Sequence, residues 1–161
     1  MKRARALATA KSKEIVEVRK PEASEIDALL KLISEYYRYD GIRFDAKSIG
    51  LALRRLLRDK SLGCVWMIRH GSDVAGYVIL TFNYDLEFGG MQGIVTDLFI
   101  REKFRGAGLG KSALDCVGEY CRDRGISAIE LQVEHDNKAA QAFYRNLGFK
   151  RLSRIVMGKT V

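Results

Sequence analysis

The feature that most constrains the fold is a glycine-rich loop between a strand pattern and a helix pattern. The apolar stretch GIVTDLFI at 93–100 leads into RGAGLGKS at 105–112, and a helical stripe runs over 108–124. The alternating stretch AIELQV at 128–133 predicts a second strand. A strand, a helix and a strand in this order form a right-handed crossover with parallel strands. The middle of the chain therefore predicts one parallel β-α-β unit.

The segments before this unit predict antiparallel strands and two helices. Strand patterns lie at residues 15–18, 64–69 and 74–82, and HGSD between the last two marks a hairpin. Helical spacing of apolar residues predicts one helix behind a Ser24 cap and a second from Ile49 to Leu57. Asn137 is expected to cap a short helix, and FKRLSRIVM to close the chain as a strand. The predicted fold class is α/β of the α+β type, a mixed and mostly antiparallel central sheet with helices on both faces.

The net charge of +8 is concentrated at the start of the chain. Residues 1–13 carry five basic groups and no acid, and removing these five charges leaves +3 for residues 14–161. We expect a basic tail at 1–13 and a single domain over 14–161, a size that allows a proper core. Four interpretations of the tail stay open: a disordered solvated extension, a contact with nucleic acid or another anionic surface, a transit-type presequence and a signal peptide.

The composition also bounds the compartment and the partners. Three cysteines, an odd number without metal-ligand spacing, favour a reduced cytoplasmic compartment and no metal. No apolar run approaches the roughly 20 residues of a membrane span, so no membrane partner is expected. The basic residues lack interleaved aromatics or a recognisable binding module, which disfavours nucleic acid as a partner. A homodimer stays open.

Three phosphate-binding motifs nearly fit the glycine loop. The nucleotide P-loop fails because its first glycine falls on Arg105, where a side chain prevents the backbone from curling around a phosphate. The dinucleotide fingerprint fits Gly108, Gly110 and Ala113, but it normally opens a mostly parallel sheet. In the third frame, Arg105-x-x-Gly108-x-Gly110, backbone N–H groups converge at a helix start, which suits a polyanion. Arg101, Lys103 and Lys111 add positive charge there. The alternative is a plain strand-to-helix turn.

Three segments in this order resemble the GNAT acetyltransferases. They are TDLFIREKFRGAGLGKSAL, LQVEHDNKAA and AFYRNLGF, which together cover roughly residues 93–150. The resemblance implies a sheet whose central parallel strands splay apart to admit acetyl-CoA, a co-substrate that transfers its acetyl group directly to an amine acceptor. It also implies a coenzyme site at Leu98, Phe99, Ile100, Arg105, Gly106, Ala107, Gly108, Leu109, Gly110, Lys111, Asn137 and Tyr144.

The reaction needs an acid for the departing thiolate and a route for the amine proton. By resemblance, Tyr144 is the acid that faces the coenzyme sulfur, with core packing as the alternative. Asp97 interrupts an apolar run, so it is a candidate base, or else a structural hydrogen-bonding group. Glu87 is a second candidate base, and water-mediated deprotonation stays open. Some relatives carry a glutamate where this chain has Gln132, which cannot titrate.

The acceptor side is expected opposite the coenzyme. Tyr39 and Asp40, between the first two helices, and Glu87, in the turn after the third strand, are the predicted acceptor-binding residues. Asp85 and Glu87 add negative charge near one wall of this side, which suits a cationic amine. Polyamines, aminoglycosides, amino acids and protein amines all stay open as acceptors. The alternative function is a non-catalytic or regulatory acyl-CoA-binding module.

Overall fold

A computed structural model of the chain describes residues 15–161, so the expected basic tail at 1–13 lies outside the described part. The strands are β1 Val16–Arg19, β2 Gly63–His70, β3 Asp73–Asp85, β4 Gly90–Ile100 and β5 Ile129–Leu131. The helices are α1 Ile26–Tyr39, α2 Ala46–Arg58, α3 Leu109–Arg122 and α4 Lys138–Asn146. This alternation confirms the predicted fold class.

The strands form one mixed sheet in the order β1-β2-β3-β4-β5. The pairs β1–β2, β2–β3 and β3–β4 are antiparallel, and the crossover through α3 makes β5 the parallel neighbour of β4. Gly93 near the start of β4 donates its N–H to the carbonyl of Ala128, just before β5, at 3.0 Å. Because β5 has three residues and β4 has eleven, much of this edge of β4 extends past β5.

A bulge interrupts the pairing of β3 with β4. Ile79 lies opposite Asp97, but the next residue, Leu80, lies opposite Val95, so Thr96 is the extra residue. In a regular strand, residues 95 and 97 would share one face of the sheet. The bulge places them on opposite faces, and Asp97 joins the face that carries Ile79.

Helices α1 and α2 cover that face. Their apolar stripes meet inward-facing side chains of β2, β3 and β4. The buried residues of this core are Leu29, Leu32, Ile33, Leu53, Val65, Met67, Tyr77, Ile79 and Phe99. Asp45 caps α2 by accepting the N–H of Ser48 at 2.7 Å. The predicted helical stripes are thereby confirmed, except that Ala52, which helical spacing from Ile49 and Leu56 predicts on the apolar face of α2, is exposed.

Helix α3 covers the opposite face. Its buried side chains are Leu109, Ala113, Leu114, Val117 and Cys121. Gly93 permits this packing because a Cβ there would lie 3.0 Å from Leu80 and 3.3 Å from the Cys121 sulfur. Tyr120 of α3 stacks on Phe82 and meets Trp66 edge-on. Helices therefore flank the sheet on both faces, as the sequence predicts.

Three sequence-based details are wrong. Ser24 lies inside a 3₁₀ turn, and the Glu25 carboxylate instead accepts the Glu22 N–H at 2.9 Å. The strand predicted at 128–133 is limited to residues 129–131. FKRLSRIVM forms no strand, and residues 150–157 are exposed to solvent. Its apolar residues do not alternate with polar ones, since they lie at every third position from Phe149 to Ile155. A strand also needs a sheet edge that accepts its backbone hydrogen bonds.

The chain divides into two compact units, whose described residues run from 15 to 130 in the first and from 131 to 161 in the second. The first contains β1 to β4 and helices α1 to α3, and the second contains α4. None of the four helices between residues 15 and 161 combines the length and the apolar character that crossing a bilayer requires.

Candidate active site

The glycine loop forms the junction between β4 and α3. After Ile100, one 3₁₀ turn over Glu102–Phe104 leads to Arg105, and α3 begins at Leu109. Gly106 and Gly108 have φ of 81° and 82°. An added Cβ would meet nothing within 4 Å at either position, so the left-handed backbone, and not a lack of space, is what favours glycine here.

This backbone presents a set of amide groups at a helix start. Gly108 is the N-cap of α3, and no side chain caps that end. The first N–H groups of an α-helix have no partner inside the helix, and they carry its partial positive charge. The loop can therefore donate several hydrogen bonds to one anion, which is the chemistry that a diphosphate requires.

The basic side chains near the loop already have partners. Arg101 donates to both carboxylate oxygens of Glu35, Lys103 pairs with Asp73 at 3.5 Å, and Lys111 pairs with Asp115 at 2.6 Å. The amide groups are thus the principal anion-binding feature of the loop. The ion pairs of Lys103 and Lys111 are exposed and therefore weak, so these two lysines can exchange their carboxylate partners for a bound phosphate.

Arg105 joins the coenzyme loop to the predicted acceptor side. Its Nε donates to the carbonyl of Ile100 at 3.0 Å, and its guanidinium carbon lies 4.9 Å from the centre of the Tyr39 ring. Tyr39, the last residue of α1, is 64% exposed. A cation over an aromatic face is an attractive contact. The structure therefore brings together two residues that the sequence assigned to different ligands.

Asp97 is half-buried on β4 and accepts a hydrogen bond from the Tyr77 hydroxyl at Oδ2, with a length of 2.8 Å. Burial raises the pKa of Asp97, the Tyr77 hydrogen bond opposes that rise, and the charge of Asp40 adds to it. A carboxylate with a raised pKa is a better proton acceptor than an exposed one. Tyr77 is a functional candidate that the sequence analysis missed, and its only signal is a hydroxyl in the apolar run VAGYVIL.

The acceptor candidates separate into two places. Asp40 ends α1 and lies close enough to Asp97 to raise its pKa. Glu87 lies in the turn at the tip of the β3–β4 hairpin, where Asp85 accepts its N–H at 2.9 Å. Asp97 lies seven residues into β4, about 20 Å along the strand from that tip. Glu87 and Asp97 therefore do not form one cluster, and Glu87 stays a prediction.

The coenzyme residues on β4 contribute backbone. The Phe99 side chain is buried in the core, and Leu98 and Ile100 are half-buried. On the β3 side, Gly76 lets the strands approach, because a Cβ there would lie 2.1 Å from the Phe99 carbonyl. The opposite edge of β4 extends past the short β5. Residues 98–100 thus retain strand backbone that could pair with an extended ligand.

The second unit carries two further candidates. The Asn137 side chain accepts the Ala140 N–H at 3.0 Å, which confirms it as the cap of α4. Tyr144 contacts the rings of Phe143 and Phe149, with centroid distances of 5.2 and 5.7 Å. Burial raises the pKa of Tyr144, so its phenol stays protonated at neutral pH. Gln132 is exposed.

A mixed sheet with one parallel pair and an amide-lined loop at a helix start are the features that the resemblance to the GNAT acetyltransferases implies. The model of the acetyltransferase (GNAT) family matches residues 26–149, and the chain belongs to this family. The resemblance to this family, which three short segments of the sequence indicate, is thus confirmed over most of the chain.

Two curated relatives share one name, thialysine N-epsilon-acetyltransferase. The Caenorhabditis elegans protein is 28% identical over 145 residues, which cover 89% of this chain and 87% of that protein. The Bos taurus protein is 31% identical over 83 residues, 52% of this chain and 48% of that protein. Matches to several curated relatives thus span half of their length or less.

Two solved structures share the fold. An integron cassette protein from the mobile metagenome of Cole Harbour Salt Marsh is 31% identical, with a TM-score of 0.80 and coverage of 89% of this chain and 90% of the other. A predicted acetyltransferase from Clostridium acetobutylicum, solved with acetyl-CoA, is 18% identical with a TM-score of 0.76, and the match covers 90% and 96% of the two chains.

Proposed function

We propose that this chain transfers the acetyl group of acetyl-CoA to a primary aliphatic amine. The observation that carries the proposal is the Gly106–Gly108 backbone, which presents amide groups at the start of α3 beside an edge of β4 that extends past β5. That combination suits a ligand with a diphosphate and an extended amide-containing arm. Family membership and the structural relative with acetyl-CoA support the same ligand.

Acetyl-CoA supplies a thioester carbonyl, on which a free amine forms a C–N bond while the C–S bond breaks. An alkyl ammonium with a pKa of about 10.4 must first lose a proton, at a cost of roughly 4.6 kcal/mol at pH 7. We assign this proton to Asp97, whose raised pKa suits a base. We assign protonation of the departing sulfur to Tyr144, whose buried phenol is neutral. The nitrogen loses a second proton as the amide forms, and this proton restores the phenol of Tyr144, so the net reaction releases one proton to solvent.

We propose small molecules with a lysine-like amine as the acceptors. The electrostatic interaction of Asp40 with Asp97 supports a cationic substrate, because two neighbouring carboxylates favour an ammonium group between them. The name shared by the two curated relatives points to an amine at the end of a side chain. Tyr39 beside Arg105 would then border both substrates.

The test is release of coenzyme A thiol from acetyl-CoA across a panel of thialysine, lysine, spermidine, an aminoglycoside and a peptide. We expect turnover with thialysine or lysine. In the Asp97→Asn variant, we expect kcat to lose the pH dependence that is due to this carboxyl. Coenzyme binding without turnover of any amine would instead identify the non-catalytic module. A single domain over 14–161, a cytoplasmic location and a homodimer stay predictions from the sequence.

A further inference from the structure

The hydrogen bond between Tyr77 and Asp97 joins β3 and β4 within their regular pairing, beside the bulge in β4. Tyr77 lies opposite Phe99, and Asp97 lies opposite Ile79, so both side chains project from the sheet face that α1 covers. The 2.8 Å bond runs from the Tyr77 hydroxyl to Oδ2 of Asp97. The extra residue Thr96 lies just outside the regular pairing of residues 76–79 with 97–100, which contains both members of this pair.

The surroundings hold the Tyr77 hydroxyl in place. Tyr77 is fully buried, with its ring 6.5 Å from that of Tyr36 and 6.2 Å from that of Phe99. A buried hydroxyl in this setting has a fixed direction, so the bond also fixes the rotation of the carboxyl that accepts it. Asp97 itself is half-buried and therefore retains access to solvent.

We propose that Tyr77 is a positioning residue for Asp97: its hydroxyl holds Oδ2, so that Oδ1 is the oxygen that receives the proton of the acceptor amine. The inference rests on the proposed function and deepens it. Besides Tyr77 on β3, the groups that interact electrostatically with Asp97 are Tyr37 on α1 and Asp40 at its end. Of these, Tyr77 alone stabilises the charged form of Asp97.

The sign of the expected effect follows from that bond. A hydrogen bond donated to a carboxylate favours the charged form, so its removal raises the pKa of Asp97 further. A base must be deprotonated to act. Tyr77→Phe keeps the ring packing and removes the hydroxyl, and we expect the acidic limb of the kcat profile to move upward by about one pH unit. The KM for acetyl-CoA should stay the same.

The experiment follows the Asp97 carboxyl carbon by ¹³C NMR during a pH titration, with the signal assigned from Asp97→Asn. The matched control is Tyr120→Phe, which also removes the hydroxyl of a half-buried tyrosine, from the opposite face of the sheet. We expect the Asp97 midpoint to rise in Tyr77→Phe and to stay unchanged in Tyr120→Phe. The kcat limb should shift by the same amount as the NMR midpoint.

An unchanged Asp97 midpoint in Tyr77→Phe overturns the inference, and so does a shifted midpoint with an unshifted kcat limb. If Tyr77→Phe does not fold, 3,5-difluorotyrosine at position 77 keeps the ring and gives a stronger donor. The midpoint should then fall, and an unchanged midpoint again overturns the inference. Failure of the proposed function is distinguishable, because it appears as no turnover by the unmodified protein, whereas the NMR titration requires no turnover.

Discussion

Arg101 at the end of β4 donates two hydrogen bonds, of 2.7 and 2.8 Å, to the carboxylate of Glu35 in α1. Arg101 also donates to the carbonyl of Val74 at 2.8 Å. The guanidinium of Arg101 thus connects the segment that leads into the glycine loop with α1 and with the start of β3. Both side chains are less than one-third exposed.

Glu35→Gln should lower the free energy of unfolding by about 1–2 kcal/mol at pH 7, because it leaves the Arg101 charge partly buried beside a neutral amide. Arg101 holds the pKa of Glu35 below its ordinary value. The stabilisation is therefore complete above the ordinary carboxyl pKa and is lost as the pH falls through the lowered one.

Urea unfolding of both proteins at several pH values measures this difference, which should shrink below about pH 4. Glu17→Gln is the control, because its pair with Arg19 is longer, at 3.5 Å, and more exposed. An equal effect of the two substitutions, or a Glu35 effect independent of pH, would contradict the account.

Gly108→Ala should weaken coenzyme A binding about tenfold. Alanine in the left-handed conformation of Gly108 costs about 1–2 kcal/mol, which the loop can avoid only by turning its amides away. Gly118→Ala is the matched control in the same helix. Its Cβ would lie 3.4 Å from the flexible end of Arg122, and it should stabilise α3 by about 0.5–1 kcal/mol. Calorimetric titration with coenzyme A checks both variants, and equal affinities would remove the role of Gly108.

Tyr144→Phe should lower kcat at least tenfold and leave the affinity for acetyl-CoA nearly unchanged. The substitution keeps the ring contacts with Phe143 and Phe149 and removes only the proton that the sulfur is proposed to receive. Tyr84→Phe, at an exposed tyrosine of β3, is the control. Steady-state thiol release measures both. Unaltered turnover in Tyr144→Phe would exclude this residue as the acid.

Asn137→Ala separates the cap of α4 from a coenzyme contact. Asn137 and Asp45 each cap a helix with one side-chain hydrogen bond to the backbone, so each alanine variant should lose about 1 kcal/mol of stability. We expect Asn137→Ala alone to weaken coenzyme A binding as well. Unfolding and coenzyme-binding measurements on both variants decide this. Equal coenzyme affinities in the two variants would mean that Asn137 acts only as the cap of α4.

The sequence allowed the β-α-β unit, the hairpins and the amphipathic helices to be predicted, because each depends on local periodicity and turn residues. The strand predicted over FKRLSRIVM is wrong, because its apolar residues do not alternate with polar ones and no neighbouring strand accepts its backbone hydrogen bonds. Tyr77 and Asp97 are 20 residues apart, and they share a sheet face through the pairing of β3 with β4. No local pattern gives the register of two strands, which is what brings these two side chains together.

Contacts between residues that are far apart in the sequence could not be predicted either. Glu35 and Arg101 are 66 residues apart, and each alone is an ordinary charged residue. Arg105 over Tyr39 likewise depends on where the end of α1 meets the loop. The glycine loop is different, because glycine is the residue that adopts positive φ most readily, so Gly106 and Gly108 by themselves indicate this backbone conformation.

The most direct test of the account is a ¹⁵N NMR titration of the folded protein with coenzyme A and, separately, with pantetheine, which lacks the phosphates. The account predicts that coenzyme A produces its largest amide shifts at residues 106–111 and that pantetheine leaves those amides nearly unshifted while perturbing residues 98–100. Equal shifts at 106–111 with both ligands, or coenzyme A shifts confined to other parts of the chain, would contradict it.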